Sequence, residues 1–266
     1  MSLSIFSNPS FNKNSVEIQA KPTKCKCFML LNVLWSTYTS YTSAFIRALV
    51  RYSPDLNQTE LDFRDSAIDI GKQLDQCLQQ NALPYKITER NESIFSKSLT
   101  SLRKENLTAY NRLTSRFNTK TLTAGLLATL FLQDHITYLK KYTLSAAQKS
   151  PLPSITEKDF QEELNRIGRN YVKLHIKVSK WKGDDINKTG VDLWKRQVND
   201  QMDLISEEVR KDYSSSNKAA TKIQASSHQM SEYFYKVVMG CDPYYHMDSG
   251  NTFNPNIVEF TEEGDF

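Results

Sequence analysis

Hydrophobic positions recur along this chain at three- and four-residue steps, the period of a helix that buries one face. Leu31, Leu34, Tyr38, Tyr41, Phe45, Ala48 and Tyr52 form the first such seam, which Ser53-Pro54-Asp55 ends. A second helix is predicted from Thr59, a suitable N-cap, through Ile70, Leu74 and Cys77 to Gln80, with Asn81 to Pro84 as its stop. The third begins near Glu89 and buries Phe95, Leu99, Leu102, Asn106, Ala109, Leu113 and Phe117. The fourth runs from Thr119 to Ser145 and holds the most apolar stretch of the chain, Leu122 to Tyr142. On it Leu127, Phe131, His135, Tyr138 and Tyr142 share a face, which puts an imidazole where a leucine is expected.

Ser150-Pro151-Leu152-Pro153-Ser154 cannot continue a helix and is the expected boundary between two units. Beyond it a fifth helix carries Phe160, Leu164, Ile167, Tyr171, Leu174, Val178 and Trp181, and Lys182-Gly183 closes it. The sixth carries Val191, Trp194, Val198, Met202, Ile205 and Val209. The seventh carries Ala220, Ile223, Ser227, Met230, Phe234 and Val237 and stops at Gly240. The pattern predicts an all-α protein of two consecutive up-and-down bundles. Residues 1–24 form a flexible arm, 25–149 a four-helix bundle, 154–240 a second bundle of three or a reduced four helices, and 241–266 an acidic irregular tail.

Composition agrees with long helices: the 266 residues include only eight glycines and eight prolines, too few for the turns of an all-β or doubly wound fold. A net charge of +4 gives no strong nucleic-acid signal. Lys173, Lys177, Lys180, Lys182, Lys188, Lys195 and Arg196, with Trp181 and Trp194 among them, form the one basic patch, expected to be a solvated helix face. Tyr233, Phe234, Tyr235, Tyr244 and Tyr245 could form an aromatic edge for the tail or a partner. Cys25, Cys27, Cys77 and Cys241 are too scattered for a disulfide framework or a paired zinc site; free thiols and a reducing, cytoplasmic compartment are expected. The N-terminus lacks a basic region followed by an apolar run, and no apolar run reaches the ~20 residues of a membrane span.

Chemistry in a helical bundle is built from inward-facing imidazoles and carboxylates, and a His and a Glu one turn apart can reach one metal ion. His228 and Glu232 have that spacing, and His175, with Glu207 and Glu208, could complete a site. A surface His–Glu pair is the commoner outcome of the same spacing. For His135 the metal-ligand assignment competes with a core histidine hydrogen-bonded to a tyrosine or carboxylate; Asp134, Glu105 and Glu60 are the acids within its bundle.

A shift of 130 residues lays Phe45-Ile46-Arg47 on His175-Ile176-Lys177 and Thr59-Glu60-Leu61-Asp62 on Thr189-Gly190-Val191-Asp192, as a degenerate internal duplication would. The stretch from Phe95 to Thr143, with SAFIRALVRYSPDL before it and SSHQMSEYFYKVV after it, resembles a bacterial family of tandem ferritin-like bundles without an assigned function. The resemblance implies an imidazole on the first helix and a DHxxxE motif on the last helix of each bundle. Here Thr42 and Val172 stand at the imidazole positions, Asp134-His135 is followed by Leu139 instead of Glu, and Ser227 precedes His228. The expected function is therefore a binding or interaction protein with a vestigial or absent metal site, engaging a protein partner or a second copy, and an enzyme is less expected. One alternative is a ferritin-like metalloprotein holding iron, manganese or zinc on His228, Glu232 and His175. Another is a helical pore-forming protein, suggested by the apolar helix that contains Gly125.

Overall fold

The computed structural model describes residues 24–79, 89–148, 155–178 and 184–239. Among the described residues there are eight α-helices and no strand. They are α1 (Lys24–Arg51), α2 (Leu56–Gln79), α3 (Glu89–Glu105), α4 (Leu107–Arg116), α5 (Ala124–Ala146), α6 (Glu157–Val178), α7 (Asp184–Arg210) and α8 (Tyr213–Met239). The expected arm before Lys24, the linker from Ser150 to Ser154, the closing Lys182-Gly183 and the acidic tail lie outside the described residues.

The helix expected from Glu89 to Phe117 is two helices. Asn106, assigned to its buried seam, has an extended backbone (φ −151°, ψ 90°) and caps α4 by accepting from the Ala109 N–H at 2.9 Å. Asparagine competes with the helical hydrogen bond through its own side chain, so a correct hydrophobic period can still run across a break. Thr123 likewise caps α5 by accepting from the Leu126 N–H. Thr156 and Asp212 do the same for α6 and α8.

Two helices are buried nearly all round. On α1 the seam residues Leu31, Tyr38, Phe45 and Ala48 are buried, and so are Trp35, Thr39, Thr42, Ser43, Ile46 and Leu49 on its other sides; Tyr52 is exposed and ends the helix with φ 52°. On α5 every residue from Ala124 to Gln133 is buried. α1 packs against α2 and α5 and also against α7 and α8, while α5 packs against α2, α3 and α6. Helices from before and after residues 149–154 accordingly share one hydrophobic cluster. Its centre is a chain of rings: Phe45–Phe63, Phe63–Tyr38, Tyr38–Trp35, Trp35–Tyr171 and Tyr171–Trp194 lie 4.7–5.7 Å apart between centroids. Trp194 lies over Gly168, where a Cβ would collide with its ring, and its Nε1 donates to the Leu164 carbonyl at 2.9 Å. A smaller cluster around Leu102, Ala109, Leu113 and Leu126 seats α3 and α4.

The backbones of α2 and α5 meet at Gly71 and Gly125. A Cβ added to either would fall under 3.0 Å from the carbonyl oxygen of the other. Asp75 fixes the same crossing by accepting from the Gly125 N–H at 2.7 Å and from the Thr123 hydroxyl.

Cys27 and Cys77 form a disulfide between α1 and α2, with Cα atoms 5.8 Å apart, and both are fully buried. This corrects the expectation of free thiols, at least for Cys27 and Cys77, and removes the support that those thiols lent to a reducing compartment. The bond was not legible because its partners lie 50 residues apart and meet only through the antiparallel pairing of the two helices. Reduction with dithiothreitol, or Cys77→Ser, is expected to lower the urea-unfolding free energy by about 2–4 kcal/mol, the usual worth of a bond closing a loop of this length. An unchanged urea midpoint would show that the bond does not constrain the chain.

Candidate functional site

α5 sets His135 at the centre of the ring cluster, against the edge of Trp194 with 5.8 Å between centroids. Gln201 of α7 presents its amide oxygen 3.0 Å from Nε2, and Tyr38 of α1 places its hydroxyl 2.6 Å from Nδ1. An amide oxygen can only accept, so Nε2 carries the proton and Nδ1 accepts from Tyr38. Both ring nitrogens are thus engaged by α1 and α7. Burial pushes the imidazole down to about 4, opposed by the Gln201 hydrogen bond. The space bounded by Trp35, Tyr38, His135, Trp194, Gln197, Val198 and Gln201 is too narrow to admit a water-sized body. Thr42 of α1 donates its hydroxyl to the Tyr38 carbonyl at 3.1 Å. Leu139 is fully buried one turn beyond His135.

The other site residues do not converge. His175 is buried on α6 beneath the Tyr171 ring, 4.4 Å between centroids, and burial lowers it to about 3. His228 is on the surface of α8 with 61% of its side chain exposed, and its Nε2 lies 3.4 Å from Glu232 Oε1. Among the described residues no group of three or more His, Cys, Asp or Glu side chains could hold a metal ion. Glu207 belongs to a surface pair with Arg210. Glu208 is buried: Arg51 grips it with two hydrogen bonds of 2.9 Å, Arg47 donates at 3.1 Å, and the Ser216 hydroxyl completes the node. Burial would raise the Glu208 carboxyl, but the Arg51 and Ser216 hydrogen bonds and the two guanidinium charges outweigh it and hold it low. This node ties α1 to α7 and α8.

A second buried node was not foreseen. Arg64, 1% exposed, donates to Glu60 at 3.0 Å, to Gln133 at 2.9 Å and to Thr137 at 3.3 Å. Glu60 also accepts from Lys140 at 2.6 Å and Asn106 at 3.0 Å, so α2, α5 and the α3–α4 break are joined through one carboxylate. Burial works to raise Glu60, and the charges of Arg64 and Lys140 reverse it. The i,i+4 spacing of Glu60 and Arg64 was the available signal, but the same spacing is commonest on solvated faces.

The buried imidazoles make stability fall in acid. Both are neutral in the fold below the ordinary value of 6.5, whereas the unfolded chain takes up protons near it. Their contribution is complete above pH 6.5 and is lost as the pH falls toward 4, by roughly 3 kcal/mol for His135 alone. Asp134, which accepts from Ser98 at 2.6 Å, works in the opposite sense: burial raises it to about 6, so its protonation in the fold offsets part of that loss between pH 6 and 4. Urea midpoints measured against pH are expected to decline below pH 6.5, with a flatter slope in a His135→Gln, His175→Leu chain. A slope unchanged by both substitutions would show that the imidazoles do not titrate as placed.

On the outside, Trp194 is buried and cannot stack a base, while Lys173, Lys188, Lys195 and Arg196 are solvated. The side chains of Lys177, Lys180, Trp181 and Lys182 lie outside the described residues, as do those of Phe234, Tyr235, Tyr244 and Tyr245. Tyr233 packs on Gly190. A cleft of about 470 Å³ opens between α1 and α2, lined by Ala44, Arg47, Ala48, Arg51, Asp55 and Asp62 among others. Exposed Tyr52 and Tyr213 flank that end of the molecule, and the Arg51 guanidinium lies 4.9 Å above the Tyr213 ring. No family model, curated protein or solved structure matches the chain.

Proposed function

We propose that this is a helical interaction protein that recognises another macromolecule through its outer surface, and that its metal site is vestigial or absent. The vestigial or absent metal site is supported by the commitment of both His135 nitrogens to Tyr38 and Gln201 in a space too small for water. A first-row metal ion needs an imidazole lone pair and further donors, and Leu139, Thr42 and Val172 supply none. The ferritin-like resemblance and the internal duplication enter this account as the origin of the scaffold, with its metal positions replaced by packing residues. No helix among the described residues is long and apolar enough to cross a membrane, and Gly125, which suggested a pore-forming helix, is needed for the α2–α5 crossing.

Elemental analysis of the purified protein tests the proposal. Substoichiometric iron, manganese and zinc are expected, with no change in His228→Ala. Stoichiometric metal that is lost in His228→Ala would replace this account with the metalloprotein one.

A further inference from the structure

We propose that the cleft between α1 and α2 binds a basic amino acid, free or as the last residue of a peptide, with its carboxylate on Arg47 and Arg51 and its cationic groups on Asp55 and Asp62. The site is additional to the surface-binding account.

The cleft lies where the last turns of α1 part from the first turns of α2, and its volume of about 470 Å³ falls within the ~300–1,000 Å³ of small-molecule sites. Most such sites are lined by apolar side chains, whereas this one is charged. Its α1 side carries the guanidiniums of Arg47 and Arg51, its other side carries the carboxylates of Asp55 and Asp62, and Ala44 and Ala48 are too small to fill the space.

Unlike charges around one small cleft ordinarily pair across it. Among the described residues no ion pair joins either guanidinium to either aspartate. The reason lies behind the arginines. Buried Glu208 accepts from Nε and Nη2 of Arg51 at 2.9 Å each and from Nε of Arg47 at 3.1 Å. Asn217 accepts from Nη2 of Arg47 at 2.8 Å, and the Tyr213 ring lies 4.9 Å beneath the Arg51 guanidinium. Charge-assisted, forked bonds of this kind hold a guanidinium in one place, so neither can swing across to the aspartates. They use only Nε and Nη2 of each arginine, and among the described residues both Nη1 groups keep their donors for a ligand. A site whose side chains are already fixed loses little freedom when it binds.

The charges name the ligand. Glu208 offsets one of the two guanidinium charges, which leaves one positive charge on the α1 side against the two aspartates. Asp62 accepts only from the neutral amide of Gln58, at 2.7 Å, among the described residues. The complement is one anionic and two cationic groups in a small molecule, which is L-lysine at neutral pH. A simple anion would meet the aspartates and a simple amine the arginines, so the cleft selects against both.

Titration of L-lysine into the nitrogen-15-labelled full chain, followed through the backbone amide shifts, tests this. Saturable shifts confined to Ala44–Asp62 are expected, with a dissociation constant below about 1 mM. Lysinamide, which lacks the carboxylate, and norleucine, which lacks the side-chain amine, should each bind about tenfold more weakly or worse. The Asp55→Asn, Asp62→Asn chain should lose about as much with its thermal unfolding unchanged, since both side chains reach solvent. The tripeptide Gly-Gly-Lys and its amide separate the two sources of the ligand. Tighter binding of the tripeptide that is lost on amidation assigns the cleft to a peptide C-terminus, and tighter binding of L-lysine assigns it to the free amino acid. No saturation by L-lysine or Gly-Gly-Lys up to about 10 mM, or binding indifferent to the two Asn substitutions, overturns the proposal. Neither result touches the surface-binding account, which fails separately on stoichiometric metal.

Discussion

Gly125→Ala is expected to destabilise the protein by on the order of 4 kcal/mol, and Gly71→Ala by a similar amount. Ordinary overpacking costs about 1–3 kcal/mol because side chains and backbone yield a little. At this crossing the added methyl meets the carbonyl oxygen of the opposing helix at less than 3.0 Å, and neither backbone has a side chain's freedom to swing away. α2 and α5 would have to separate, and the Asp75 bonds to Thr123 and the Gly125 N–H would open with them. Thermal unfolding should fall by roughly 8–16 °C, at about 2–4 °C per kcal/mol for a chain of this size. Ser40→Ala, at an exposed position of α1, should leave it within a degree or two. A neutral Gly125→Ala would mean that the two helices do not cross where described.

Arg64→Leu is expected to cost about 3–5 kcal/mol in urea unfolding. Removing one member of a buried ion pair leaves its partners dry and unpaired, which is far worse than removing the whole pair. In this case Gln133 and Thr137 lose their donor, and Glu60 is left to Lys140 and Asn106. The double substitution Glu60→Leu, Arg64→Leu should cost much less than the sum of the two single ones, since Lys140 is partly exposed and can turn to solvent. Additive costs would show that the two side chains do not share a node. Because Glu60 is held low, its contribution is present above the ordinary glutamate value and fades as the pH drops through its folded value. Acid should therefore narrow the difference between the native and Arg64→Leu chains, leaving the part that comes from the Gln133 and Thr137 hydrogen bonds.

Much of this architecture is legible in the residues because burial on one face leaves a period. The seams of Phe160 to Leu174 and of Ile223 to Met230 hold a buried side chain at every step, and the apolar stripe around His135 marks the most enclosed helix. What escaped is what does not depend on period. Asn106 keeps the spacing of a buried residue while ending the helix through its side chain. Trp35, Thr39 and Thr42 lie off the predicted seam of α1, and they are buried because that helix has neighbours on nearly all sides. Cys27 and Cys77 meet only after α1 and α2 pair. At the site, the sequence places an imidazole inside an apolar stripe, and a tyrosine partner was one of the expected outcomes. It could not show that the tyrosine is Tyr38 or that Gln201, from beyond the expected boundary, takes the second nitrogen. His228 and Glu232 do sit side by side, but spacing along a helix carries no information about depth, and the pair lies on the surface.

Nitrogen-15 NMR of the histidine rings at pH 7, with and without added zinc or ferrous iron, tests most directly whether the interior is structural. His135 should appear as a neutral ring protonated at Nε2, and neither it nor His175 should shift when metal is added, whatever the exposed His228 does. A metal-dependent shift of the His135 or His175 nitrogens would contradict the account and return the chemistry to the core.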